Sequence, residues 1–70
     1  MYNLLGYMQC AHLIATNMKM SQQEKDLRLA NIMAAMERHY KIPMLRDCEW
    51  EKHNQGVIIT YRAISNMRKL

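Results

Sequence analysis

Phenylalanine is missing from this 70-residue chain, which also has only two glycines, one proline, two cysteines and one tryptophan. Each scarcity excludes something. Two glycines leave no Gly-rich loop to cradle phosphates. Cys10 and Cys48 are too few for the disulfide framework of a small secreted scaffold. They would suffice for one bridge, but nothing marks the chain as secreted. Its beginning has neither the basic start nor the small-residue cleavage site of a signal peptide. Reduced thiols and a cytoplasmic location are therefore expected. No apolar run approaches the ~20 residues of a membrane span. The most apolar stretch, Leu4 to Ala15, is broken by Gln9 and His12 and reads as a helix packed on protein, so no membrane partner is expected. Internal repeats, Gly/Ser linkers and blocks of five or more like charges are also absent.

What is present is a modest net charge of +4 and eight methionines. The charge permits a nucleic-acid or acidic partner without demanding either. Methionine is flexible and polarizable, and it adapts to irregular gaps and to more than one partner surface. The length allows a single domain, residues 1–70, that buries only about 60% of the surface its unfolded chain exposes. Such scaffolds need a staple: a disulfide, a metal or a partner chain.

The clearest element is a central helix over about residues 21–41. Ser21 and Glu24 form an S-x-x-E capping box. Glu24 and Asp26 near the start, and Arg38, His39 and Lys41 near the end, complement the helix dipole. Glu24–Arg28 and Glu37–Lys41 are i,i+4 pairs in the favourable order. Ile42-Pro43 stops the helix, because proline disfavours helical geometry in the residue before it. Leu29, Ile32, Met33, Met36 and Tyr40 share an arc about 100° wide that should face the chain's own core. Leu27, Ala30 and Ala34 make a second, shallower stripe, with Asp26 and Glu37 between the two. Small residues let another helix approach closely, so a homodimer interface is expected on Leu27, Ala30 and Ala34.

Tyr2 to Met18 reads as an N-terminal helix, with Leu4, Met8, Ala11, Ala15 and Met18 at helical spacing and Gly6 weakening its start. It carries no acidic residue. The M-S-Q-Q-E-K-D run at Met20 looks like a normal bacterial protein start, so residues 1–19 are expected to be an extension before a native start at Met20. Towards the other end, Asp47 should cap a short turn, Cys48 to Lys52, that drops Trp50 onto the core. His53-Asn54-Gln55-Gly56 reads as a turn. Asn54 should then cap a last helix with Val57, Tyr61 and Ile64 on one face. A strand competes there, since Val57 to Tyr61 is rich in β-branched and aromatic residues. Helix is preferred because a lone strand has no partner run in this chain.

Constellations for chemistry are thin. Cys10 and His12 with Cys48 and His53 offer four zinc-ligand types, but C-x-H is too close for the usual knuckle, so no metal or cofactor is expected. Cys48 has Glu49, Glu51 and His53 nearby, yet so small a domain leaves little room for a substrate pocket. Glu49 and Glu51 would lie on opposite sides of a helix and could not share a proton. No catalytic residue is expected. A helix-turn-helix DNA binder, with Arg62, Arg68 and Lys69 on phosphates, is the alternative. Against it, the stretch from Tyr40 to Val57 far exceeds the 3–4-residue turn of that motif, and Arg62, Asn66 and Lys69 are the best row the last helix offers.

The stretches I-P-M-L-R-D-C-E-W (Ile42 to Trp50) and Y-R-A-I-S-N-M-R (Tyr61 to Arg68) loosely resemble small accessory proteins of Bacillus-type bacteria and their phages. The resemblance implies a stoichiometric inhibitor or adaptor of a larger host protein, host defence enzymes included, and assigns no residue a role. Together these readings favour an all-α, non-enzymatic protein-binding module with a small DNA-binding regulator as runner-up. The expected protein-binding surfaces are Met44, Leu45, Arg46 and Trp50 around the proline loop, and a face bearing Arg28, Arg38 and His39, since Trp and Arg often dominate binding energy.

Overall fold

The computed structural model describes residues Asn3 to Lys69. Four helices, and no strand among the described residues, follow in order: α1 (Leu4–Ala15), α2 (Gln22–Tyr40), α3 (Cys48–His53) and α4 (Gln55–Asn66). Helices α1, α2 and α4 all pack on one another, and α3 packs on α4.

Side-chain caps set most of the boundaries. The Asn3 side chain accepts from the Gly6 N–H at 2.8 Å and starts α1. At the other end the Thr16 hydroxyl donates back to the His12 carbonyl at 2.8 Å, which ends the helix before Met18. That methionine, expected on the apolar face of α1, lies in the turn and is 96% exposed. Ser21 caps α2 as anticipated, accepting from the Glu24 N–H at 3.2 Å. The Glu24 carboxylate turns forward to Arg28, also at 3.2 Å. Helix α2 ends one residue before Lys41, which is left-handed at φ 54° and ψ 48°. The Ile42 N–H returns to the Glu37 carbonyl, the six-to-one bond of a Schellman stop, and the Lys41 N–H shares the same oxygen. Pro43 therefore follows a stop that Lys41 has already made.

The core sits between α1, α2 and α4: Tyr7, Ala11, Leu29, Met33, Met36 and Ile64, with Leu4, Ile32, Tyr40 and Tyr61 partly buried against them. The broad arc of α2 faces inward as its spacing predicts. Helix α1 runs antiparallel to α2, with Tyr7 against His39 and Tyr40 at ring-centroid separations of 5.8 and 6.1 Å. Helix α4 runs back along the other flank of α2. Tyr61 donates to the Glu37 carboxylate, and eight residues on the Lys69 N–H reaches Asp26 at 3.1 Å. The two carboxylates that separate the stripes in sequence are thus the posts to which α4 is tied. Asp26 is buried at 7% exposure, and its one Oδ1 also accepts from Gln22.

The segment from Val57 to Tyr61 is helical, part of α4, in which Val57 and Ile64 are buried and Tyr61 half-buried. An α-helix satisfies its backbone polar groups internally, whereas a lone strand leaves them open. Two local readings need correction. The turn at His53 to Gly56 shrinks to Asn54 alone, because Gln55 and Gly56 already belong to α4. The Asn54 side chain does not cap α4. It donates backward to the Trp50 carbonyl at 2.8 Å and closes α3.

Candidate functional site

Between Lys41 and Gly56 no residue is buried. The chain there is shaped by polar contacts and one half-buried indole. Asp47 caps α3 by accepting from the Trp50 N–H at 3.1 Å. Trp50, expected on the core, is only half-buried and stands apart from the buried cluster. The reason is placement: α3 contacts α4 but neither α1 nor α2, so its indole never reaches the layer between those helices. Instead it walls a groove of about 390 Å³ together with Ile42, Pro43, Met44, Leu45, Ile58 and Tyr61.

Charged residues line the same groove, and three of them, Arg46, Glu51 and Arg62, form one network. Glu51, whose side chain is only 16% exposed, holds Arg62 at 3.0 Å and Arg46 at 3.6 Å. Glu37 accepts from Tyr61. That phenol is pushed up to about 12, first by burial, then by its hydrogen bond to Glu37 and the repulsion of that carboxylate, with Arg68 partly opposing. Tyr40 is raised as well, by burial and by Tyr7. At the mouth stand Met44 and Leu45, 102% and 84% exposed. These are large apolar side chains with nothing of their own chain to pack on.

The structure thus gathers Met44, Leu45, Arg46 and Trp50 around one groove. It does not bring Arg28, Arg38 and His39 to it. Glu37 lines the groove, and at 100° per residue His39 lies about 160° around α2 from it. His39 is exposed but fixed. Its ring stacks on Tyr40 with centroids 4.2 Å apart, and Nδ1 shares a 3.1 Å hydrogen bond with the Tyr7 hydroxyl. Arg28 is held by Glu24. Leu27 and Ala34 of the second stripe are exposed, whereas Ala30 is half-covered and shares a depression with Arg68.

The zinc-ligand types are not brought together. Cys10 and His12 sit on α1, Cys48 and His53 on α3, and these helices do not touch. Among the described residues no three His, Cys, Asp or Glu side chains cluster to hold a metal. Cys48 opens away from the groove, into a shallow depression with Lys52, Gln55 and Ile59. Among the described residues no helix is long and apolar enough to cross a membrane.

Sequence reasoning missed Tyr7, Asp26 and Ile58. A tyrosine in a weakly amphipathic helix gave no sign that it would be buried, and a carboxylate near a helix start reads first as a dipole charge. Ile58 was hidden by the helix-or-strand ambiguity, since its face depends on which period applies. The chain matches no known family model, no curated protein and no solved structure, so the resemblance of the Ile42 to Trp50 stretch carries no function to it.

Proposed function

We propose that this protein is a non-enzymatic interaction module that seats an apolar segment of a larger protein in the groove around Trp50, acting as a stoichiometric inhibitor or adaptor. The observation that carries the reading is the pair Met44 and Leu45, almost wholly exposed at the mouth of a groove backed by Trp50, Ile42 and Ile58. Exposed apolar residues that adjoin a groove mark an interaction surface in a way that scattered ones do not. Methionine suits such a contact because it repacks easily. The Arg46–Glu51–Arg62 network supplies a polar rim, the usual partner of an apolar interface centre. The groove is complete within one chain and needs no second copy.

Capture from lysate tests it. Wild-type protein should retain one dominant protein at near-equal stoichiometry. Leu45→Asp and Trp50→Ala should lose it while keeping their helical circular dichroism. Retention unchanged by both folded variants would overturn the reading.

A further inference from the structure

A second depression, apart from the groove, lies between the later turns of α1 and the end of α4. It is lined by Met8, Gln9, His12, Leu13 and Met67. Met8 and Met67 also rest on the core. Three of these side chains are metal donors of a soft or borderline kind: two thioethers and an imidazole. A search among Cys, His, Asp and Glu passes over them, because it counts no methionine. We propose that Met8, His12 and Met67 form a binding site for a soft monovalent ion, Cu(I).

Placement is the first argument. Met8 and His12 are four residues apart, so they lie about 40° from each other around α1. Their Cβ atoms are then about 5–6 Å apart, a gap that two long side chains can close on one ion. Met67, the C-cap of α4, brings the third donor from another helix. The Leu4 side chain packs over Gly56, so α1 and α4 start together, run parallel and end on the same side. His12 stands in the last turn of α1. A helix C-terminus carries roughly half a negative charge, and two of them at this end favour a cation.

Availability is the second argument. Among the described residues no hydrogen bond or ion pair engages the His12 ring or the sulfurs of Met8 and Met67. The Met33 sulfur, by contrast, has the Arg68 guanidinium against it at 3.8 Å. Selectivity is the third. No charged side chain lines the depression. Calcium and magnesium need oxygen ligands, carboxylates above all. Structural zinc takes four ligands drawn from thiolate, imidazole and carboxylate. Thioethers select Cu(I), whose single charge asks for little compensation from a neutral donor set. Thiolates are the rival ligands for the same ion, but they face elsewhere. Cys10 lies about 160° around α1 from both Met8 and His12, and Cys48 is on α3, which does not touch α1. An ion held by both helices would tie α1 to α4, a staple of the kind that so small a domain needs.

The test is anaerobic titration of the full chain, carrying Cys10→Ser and Cys48→Ser to remove the thiols, with Cu(I) in competition with the chelator bicinchoninate. A single Cu(I) should bind per chain. Met8→Leu, Met67→Leu and His12→Asn should each weaken it at least about tenfold, since loss of an outer partner of a metal ligand already costs that much. Leucine keeps the volume of methionine, and native circular dichroism checks each variant. Met18→Leu, and Leu45→Asp in the groove, should leave binding unchanged, which separates this site from the protein-binding one. Methionine-methyl NMR of the double-serine chain needs no further variant: Ag(I), a redox-inert stand-in, should move the Met8 and Met67 signals and spare Met18 and Met44. Three results would overturn the proposal. They are no Cu(I) held against the chelator once the thiols are gone, binding indifferent to Met8→Leu and Met67→Leu, and movement of the same methyl signals by Zn(II).

Discussion

The two ends of this molecule spend the same residue types in opposite ways. Where α1, α2 and α4 meet, Leu29 and Met36 are wholly covered; in the loop before α3, Leu45 and Met44 are almost wholly bare. The covered end derives its stability from burial. The bare end is held by caps and ion pairs: Lys41 in its left-handed stop, Asp47 on Trp50, Asn54 on the Trp50 carbonyl, and Glu51 between two arginines. Regions with few buried contacts open at low free-energy cost. The bare end is therefore where the chain can open locally without losing its fold.

The largest effect should come from removing residues 1–19. If they are a dispensable extension, the chain from Met20 keeps a cooperative melt. Burial argues otherwise. Tyr7 and Ala11 cover Leu29, Met33 and Met36, and a domain this small has about 3.5–10 kcal/mol of stability to lose. Loss of the cooperative thermal transition in circular dichroism is the expected result.

The paired truncations test the comparison directly. Leu29→Ala and Met36→Ala should each cost about 2–5 kcal/mol, as filled core positions do. Leu45→Ala and Met44→Ala should stay within about 0.5 kcal/mol. Urea melts of the four variants measure this, and equal costs would erase the distinction between the two ends.

How much of that distinction was legible beforehand varies with the range of the interaction. Local signals read well. The Ser21 and Asp47 caps are fixed by neighbours within four residues, and α2 falls within one residue of its expected ends, although Lys41 and not Ile42-Pro43 makes its stop. The inward arc of α2 was legible because period and burial coincide. Long-range facts were not. Whether Trp50 reaches the core depends on α3 touching only α4. The burial of Asp26 depends on a backbone amide 43 positions away. Asn54 could cap either neighbouring helix, and only packed geometry decides between them. Of the candidate site, Met44, Leu45, Arg46 and Trp50 were readable as a cluster because they are close in sequence. The far wall, Ile58 and Tyr61, was not.

A smaller change acts at the joint between the two ends. Lys41 pays for its left-handed backbone with a Cβ clash of about 1–2 kcal/mol. Lys41→Gly removes that, while the greater freedom of glycine in the unfolded chain returns about 0.4–1 kcal/mol. The net expectation is a gain of about 0.5 kcal/mol, read as a higher urea midpoint at an unchanged slope. A loss would mean that the lysine side chain holds the stop in another way.

The last effect is confined to alkaline pH and belongs to Tyr61, the residue shared by both ends, since it packs on the core and also lines the groove. Its phenol ordinarily titrates near 10 and is raised to about 12 in the folded chain. A raised value means that folding favours the protonated form. Its contribution is complete below pH 10 and disappears as pH climbs from 10 to about 12. Tyr40 is raised too and acts in the same direction, so Tyr61→Phe should flatten the alkaline loss without abolishing it. Glu37→Gln should flatten it less, because it removes the charge and weakens the hydrogen bond but leaves burial, the largest cause, in place. Urea midpoints at pH 9, 10, 11 and 12 provide the measurement. A decline of the same steepness in wild type and Tyr61→Phe would mean that the phenol is not raised by folding and that its bond to Glu37 does not tie α4 to α2.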